Sequence, residues 1–307
     1  MPPARSSLAL VLPLALAFVP PAAAEASNGY LDHVVVVVME NHSYDEVRHE
    51  PYTASLIAGG ALCTASYAVG HPSQPNYLAL WCGSSLGVVD DACPPAGAPY
   101  SAPNLGEACE AAGLSWRAYS ENLPVAGSSV CVVNGPTIPA LYTRKHDPWT
   151  DFSNLDSTRA RPYSDLAADL AAGTLPRLAF LIPNNCDNSH NTGDEGCAVA
   201  DADAWLAAHL PPVLAALGPS GALILTWDED DGSEGNHILT LFAGPSVRPR
   251  ALVMRTVTHR TIVRTICDAL GLPPFAATNG ELPITEAWNL AVAARAATWG
   301  ALKLHYR

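Results

Sequence analysis

The sequence is short of positive charge. Lysine and arginine together number 16 against 29 aspartates and glutamates, for a net charge of −13. A nucleic-acid partner needs a basic face to meet its phosphates, so this balance argues against one. A phosphate-bearing small substrate stays open, because bound metal ions reverse a local field. No CxxC pair is present, which favours disulfides over zinc ligation for the eight cysteines. Beyond residue 24 no stretch is long and apolar enough to span a bilayer. Internal repeats and linkers are also missing, so residues 25–307 read as one domain.

What is present begins with a leader. Arg5 is a short positive region, residues 8–19 are apolar, and Ala22-Ala23-Ala24 is a small-residue cleavage site before Glu25. Residues 1–24 therefore read as a signal peptide, and the mature protein as secreted or periplasmic. An oxidising compartment suits the cysteines. Proximity in sequence pairs Cys82 with Cys93, Cys109 with Cys131 and Cys186 with Cys197, leaving Cys63 and Cys267.

Two apolar runs carry the clearest signal. Residues 30–39 contain five consecutive valines, which favour a strand buried on both faces of a parallel sheet. The run exits into Glu40-Asn41. Residues 222–226 form a second uncharged run, which exits into Asp228, Glu229, Asp230 and Asp231. Four carboxylates at the end of a buried strand are tolerable as a solvated turn or as a cation site.

Further strands are expected over 114–119, 178–182 and 238–242. Helices are expected over 53–59, 76–81, 104–112, 165–172, 201–217 and 259–270, and in the tail over 284–297. Residues 123–160, rich in Pro, Gly, Ser and Thr, read as an irregular excursion. Alternation of strand and helix predicts an α/β fold, a mainly parallel central sheet with helices on both faces.

In such a sheet the strand exits share one edge, where ligands bind. The exits carry Glu40/Asn41, Asp187/His190 and Asp228/Glu229, with His237 and His259 nearby in sequence. Oxygen ligands suit a hard divalent cation such as Ca or Mg, and histidines suit Zn or Fe. Ser73 lies just before a helix start at Pro75-Asn76, where an N-cap role competes with a chemical one. His71 and His146 read as structural or exposed. Glu121, Asn122 and His146 are expected at a substrate rim.

VVVVVMENHSYD at 34–45, HPSQPNYLAL at 71–80, PNNCDNSH at 183–190, TWDEDDG at 226–232 and THRTIVRTI at 258–266 resemble, in order, the motifs of the phosphoesterase family of bacterial acid phosphatases and phospholipases C. That resemblance implies an alkaline-phosphatase-like fold and a metal-dependent phosphoesterase. It implies Ser73 as nucleophile, Glu40, Asn41, Ser73, Asp187, Asp228 and Glu229 as metal ligands, and His190, His237 and His259 as catalytic histidines. Asp187 and His190 are three residues apart, where the superfamily usually has four.

The expected activity is acid phosphatase hydrolysis of small phosphomonoesters through a phosphoserine. Phospholipase C, for which membrane lipid is only a substrate, and a non-catalytic binding protein are the alternatives. A sulfatase-like enzyme would need C/S-x-P-x-R, and the Ser73 stretch lacks the Arg. Oligomeric state is left open.

Overall fold

The computed structural model describes residues 29–190, 197–289 and 292. The expected leader at 1–24 lies outside the described residues.

The five-valine run forms β1, His33–Met39. Its alternation serves two cores at once. Val34, Val36 and Val38 join one cluster, while Val35, Val37 and Met39 join another on the opposite face. All are essentially inaccessible, and each such burial stabilises by about 1.5–3 kcal/mol.

Around β1 lie β2 (Ala61–Cys63), β3 (Trp116–Ser120), β4 (Ala160–Pro162), β5 (Leu178–Ile182), β6 (Gly221–Trp227), β7 (Thr240–Ala243) and β8 (Ala251–Val253). They make one sheet in the order β8-β2-β7-β6-β1-β5-β3-β4. The helices are α1 (Tyr44–Val47), α2 (Pro51–Gly59), α3 (Ser73–Cys82), α4 (Leu105–Ala111), α5 (Asp165–Ala172), α6 (Val199–Ala216) and α7 (His259–Leu270). Side chains of α3, α4 and α7 fill the first cluster, and those of α1, α2, α5 and α6 fill the second. Both faces are covered, as expected for this α/β class.

β1 runs parallel to β5 and to β6, and β3 runs parallel to β5 and β4. β7 is antiparallel to both β6 and β2. The connection from β6 to β7 holds the acidic turn and no helix, so no crossover carries the chain back to restart in parallel. Gly60 opens β2 because a Cβ there would stand 2.1 Å from the Phe242 carbonyl oxygen.

The tail departs from expectation. Residues 284–289 are not helical but carry a bridge from Trp288 to Val247. Their polar partners lie elsewhere. The Ile284 N–H donates to Thr265 Oγ1, the Asn289 N–H to the Ser246 carbonyl, and Arg255 Nη2 to the Leu282 and Pro283 carbonyls. Ile284 and Trp288 are thereby anchored in the core. Most of the tail beyond 289 lies outside the described residues.

The cysteine pairing is also corrected. Cys93 bonds Cys131, and Cys186 bonds Cys197 as expected. Cys63, Cys82, Cys109 and Cys267 are buried thiols outside these two disulfides. Cys82 ends α3 and Cys109 lies on the inner face of α4, both packed into the core. Their expected partners, Cys93 and Cys131, sit instead on loops, where they meet each other.

Candidate active site

The register of β1 against β6 decides where the two polar exits stand. Met39 pairs with Trp227, so Glu40 and Asp228 leave the sheet side by side. Asn41 adopts a left-handed conformation, φ 44°, which asparagine tolerates better than most residues. Its backbone N–H donates to Asp228 Oδ1 at 3.2 Å. Glu40, Asp228 and Glu229 are all buried.

Helix α3 begins at Ser73, earlier than expected, with Pro72 as the residue before it. Ser73 is therefore inside the first turn and does not cap the helix. Its hydroxyl turns to the strand exits, with Oγ 3.4 Å from Glu40 Oε2 and 3.4 Å from Glu229 Oε1. One turn further on, the Tyr77 hydroxyl donates to Glu40 Oε1, and Asn76 Nδ2 donates to Glu229 Oε2 at 3.1 Å. His71, in the loop before the helix, sets Nδ1 3.1 Å from Glu229 Oε2 and Nε2 3.0 Å from Asp230 Oδ1. Asn41, His71 and residues 229–232 line an open cleft of about 410 Å³.

Crowded carboxylates resist ionisation. Burial, then Asp228, hold the Glu40 carboxyl well above its ordinary range. Burial pushes Asp228 up to about 6. Burial and the neighbouring Asp228 push Glu229 up to about 8. Asp228 Oδ2 is buried without a hydrogen-bond partner. The Asn41 side-chain oxygen faces acceptors only, and its amide lies 3.1 Å from Glu40 Oε2 and 3.2 Å from Asp228 Oδ1. A converging set of oxygens with an unsatisfied lone pair fits a hard cation. Beside it, Glu40, His146 and His190 present ligand atoms all within 4.8 Å of one another. Burial, Lys145 and His190 hold His146 well below the usual histidine range, and its Nε2 makes no hydrogen bond although Glu40 Oε1 stands 3.3 Å away. A neutral imidazole of this kind suits metal ligation.

The structure thus brings Glu40, Asn41, Ser73, Asp228 and Glu229 together, with His190 linked to them through Lys145. Lys145 Nζ lies 3.4 Å from Ser73 Oγ and 3.3 Å from His190 Nε2. Three expected residues stand apart from the serine. Asp187 Oδ2 accepts from Asn184 Nδ2 at 2.7 Å and neighbours Glu121. His237 is stacked between Tyr44 and Tyr67 and donates from Nε2 to the Thr64 carbonyl at 3.2 Å. His259, fully buried, donates from Nε2 to the Asp228 carbonyl at 2.6 Å, which anchors the acidic turn from behind.

Lys145, Tyr77 and the cleft role of His71 were missed from sequence, and His146 was placed at a rim rather than inside the site. Tyr77 had a signal, since it lies four residues after Ser73 and so on the same helical face. Lys145 and His146 lie in the aperiodic excursion, which offered none.

The pocket gathers oxygen ligands around a serine at the carboxyl edge of this sheet, and the fold is that of the alkaline phosphatase superfamily. A superfamily member from Vibrio parahaemolyticus superposes with a TM-score of 0.57 at 14% identity, covering 83% of this chain and 71% of that one. The chain belongs to the Phosphoesterase family, whose pattern matches residues 46–273, and it is a hydrolase acting on phosphate esters. It is 38% identical over 261 residues to the phosphatidylinositol-3-phosphatase of Mycobacterium tuberculosis, covering 84% of this chain and 83% of that protein. It is 27% identical over 256 residues to the phosphate-repressible acid phosphatase of Penicillium chrysogenum, covering 79% of this chain but 60% of the fungal protein.

Proposed function

We propose that the chain is an exported, metal-dependent phosphomonoesterase of the acid phosphatase kind, working through a phosphoserine at Ser73 within one catalytic domain that follows a removable leader. The observation that carries the reading is the placement of Ser73 Oγ, 3.4 Å from both Glu40 Oε2 and Glu229 Oε1 and 3.4 Å from Lys145 Nζ.

A divalent cation would be held by Glu40, Asn41, Asp228 and Glu229, with a second grouping at Glu40, His146 and His190. When bound it supplies neutralisation of the phosphate oxygens and activation of the hydroxyl. Ser73 Oγ forms a bond to phosphorus as the bond to the ester oxygen breaks. The hydroxyl proton ends on the departing alcohol. Water then attacks the phosphoserine, keeping its hydroxyl on phosphorus and returning one proton to Ser73 Oγ. The first-turn amides of α3 add favourable dipoles. His237 and His259 shape the walls of the site rather than touch phosphate, and Asp187 orders the loop that carries His190.

Export is supported by the two disulfides. Among the described residues no helix is long and apolar enough to cross a membrane. The name of the mycobacterial relative favours a second possibility for the substrate, a phosphomonoester carried on a lipid. Release of phosphate from an aryl phosphate and from vesicles containing phosphatidylinositol 3-phosphate, and of phosphocholine from phosphatidylcholine, with and without a chelator, tests the reading. Hydrolysis of phosphatidylcholine alone would replace it with a phospholipase C.

A further inference from the structure

Lys145 and Lys303 are the lysines of this chain, and Lys145 is placed with unusual care for a residue in an irregular segment. Its ammonium donates to Asp91 Oδ2 at 2.8 Å. Asp91 Oδ1 in turn accepts the Gln74 backbone N–H, at the first turn of α3, at 3.0 Å. With its amide oriented to donate, the buried Gln74 side chain also reaches the Asp90 and Ala92 carbonyls at 3.0 Å each. Cys93, two residues after Asp91, is bonded to Cys131. The Cys131 carbonyl accepts the Arg144 N–H at 2.9 Å, immediately before Lys145. Arg144 is itself held by the Ser129 carbonyl, Thr150 and Asp151. Two loops distant in sequence are thus locked to each other and to α3, and the product is one ammonium fixed beside the serine hydroxyl.

We propose that Lys145 is the phosphoryl-binding cation of this site and sets its preference for phosphomonoester dianions over diesters, with Asp91 as its positioning residue; the inference rests on the phosphomonoesterase reading above. A phosphoryl group under attack by Ser73 carries three non-bridging oxygens when it is a monoester and two when it is a diester. The carboxylate grouping around Glu40 can reach phosphate oxygens only through a cation, because like charges repel. Lys145 needs no intermediary. Its 3.4 Å separation from Ser73 Oγ puts Nζ within bonding reach of an oxygen on a phosphorus bound to that serine. In a diester that oxygen, if alkylated, bears no charge and offers the ammonium a bulky group. The Asp91 carboxylate keeps the ammonium from folding back onto the carboxylate cluster, towards which Glu40 and Asp228 attract it.

The test compares the parent enzyme with Lys145→Met, Lys145→Arg and Asp91→Asn. Turnover is measured on 4-nitrophenyl phosphate and on methyl 4-nitrophenyl phosphate, and the Kd of inorganic phosphate and of dimethyl phosphate by calorimetry. Thermal midpoint and metal content are followed for each variant. Lys145→Met should lower kcat/KM for the monoester roughly 100-fold more than for the diester, the size expected for loss of one donor to developing charge. Lys145→Arg should restore part of it. Asp91→Asn should shift the same ratio in the same direction by a smaller factor, whereas a merely structural role would lower both substrates equally. Equal losses on the two esters, or an unchanged ratio, would overturn the proposal. If the parent hydrolyses neither ester, the phosphomonoesterase reading fails, and the binding arm still decides. A phosphate Kd weakened at least tenfold in folded Lys145→Met, with dimethyl phosphate little affected, upholds the cation's role; an unchanged Kd, or no phosphate binding by the parent, refutes it.

Discussion

His259 Nε2 donates to the backbone carbonyl of Asp228 at 2.6 Å, with the imidazole fully buried. This bond ties the first residue of α7 to the exit of the central strand β6, and so fixes the acidic turn from the inside. Burial pushes His259 down to about 4, which keeps the ring neutral and its Nε2 hydrogen committed to the carbonyl. His259→Ala should destabilise the protein by about 1–3 kcal/mol, the cost of orphaning a buried acceptor. It should weaken metal retention in parallel. A variant with unchanged thermal midpoint and metal content would show that the turn stands without this anchor.

Ser73→Ala should separate chemistry from stability. The hydroxyl caps nothing, so the thermal midpoint should change little. Turnover should fall by several powers of ten, each worth about 1.4 kcal/mol of barrier. Acid quench of the parent during turnover should trap phosphate on the peptide containing Ser73. Near-normal turnover in a folded, metal-loaded variant would remove Ser73 as nucleophile.

The pH dependence of the metal-free protein follows from the raised carboxyls. Asp228 and Glu229 titrate at about 6 and about 8 when folded, above their unfolded values, so the folded state holds their protons more tightly. Their contribution to stability is complete below the ordinary carboxylate range and is lost as pH rises through about 8. A bound divalent cation takes the place of those protons. The gap in thermal midpoint between metal-loaded and chelator-treated protein should therefore widen from pH 5 to pH 8. A gap that stays flat across that range would mean that these carboxylates do not hold the metal.

The cysteines are testable by peptide mapping without reduction. Cys93–Cys131 and Cys186–Cys197 should appear as linked peptides. Cys63, Cys82, Cys109 and Cys267 should react with alkylating agents only after unfolding, because all four are buried and burial pushes the Cys63, Cys82 and Cys109 thiols up, Cys82 to about 11 and Cys63 to about 12. A linked Cys82–Cys93 peptide would contradict the packing of Cys82 at the end of α3.

Much of this was legible in advance. Five valines followed by Glu40-Asn41, and an uncharged run followed by Asp228-Glu229, announced buried strands with polar exits, and β1 and β6 deliver those exits to one edge in direct register. Helix α3 was recognised from Pro75-Asn76 but starts at Ser73, because Pro72 is the last extended residue before it. The separation of Asp187 from His190 was not legible. Both belong to one turn, yet Asp187 points to Asn184 and Glu121, and His190 to Lys145 and His146. Their spacing of three gave a hint of the departure without its direction.

By itself the sequence determined the layered α/β architecture, because burial on both faces leaves a continuous apolar run and one-sided packing leaves a periodic one, and both are local patterns. It also determined that Glu40 would meet Asp228 and Glu229, since parallel strands share their exit edge, whereas Asp187, expected with them, stands apart. Tertiary structure alone decided the remainder: the antiparallel β7, the Cys93–Cys131 bond, and the arrival of Lys145, His146 and Asp91 beside Ser73. These residues come from aperiodic loops, whose paths are set by distant contacts such as the Arg144 N–H to the Cys131 carbonyl and the Gln74 N–H to Asp91. No local periodicity records a contact made across fifty residues or more of intervening chain, such as that between Lys145 and Asp91.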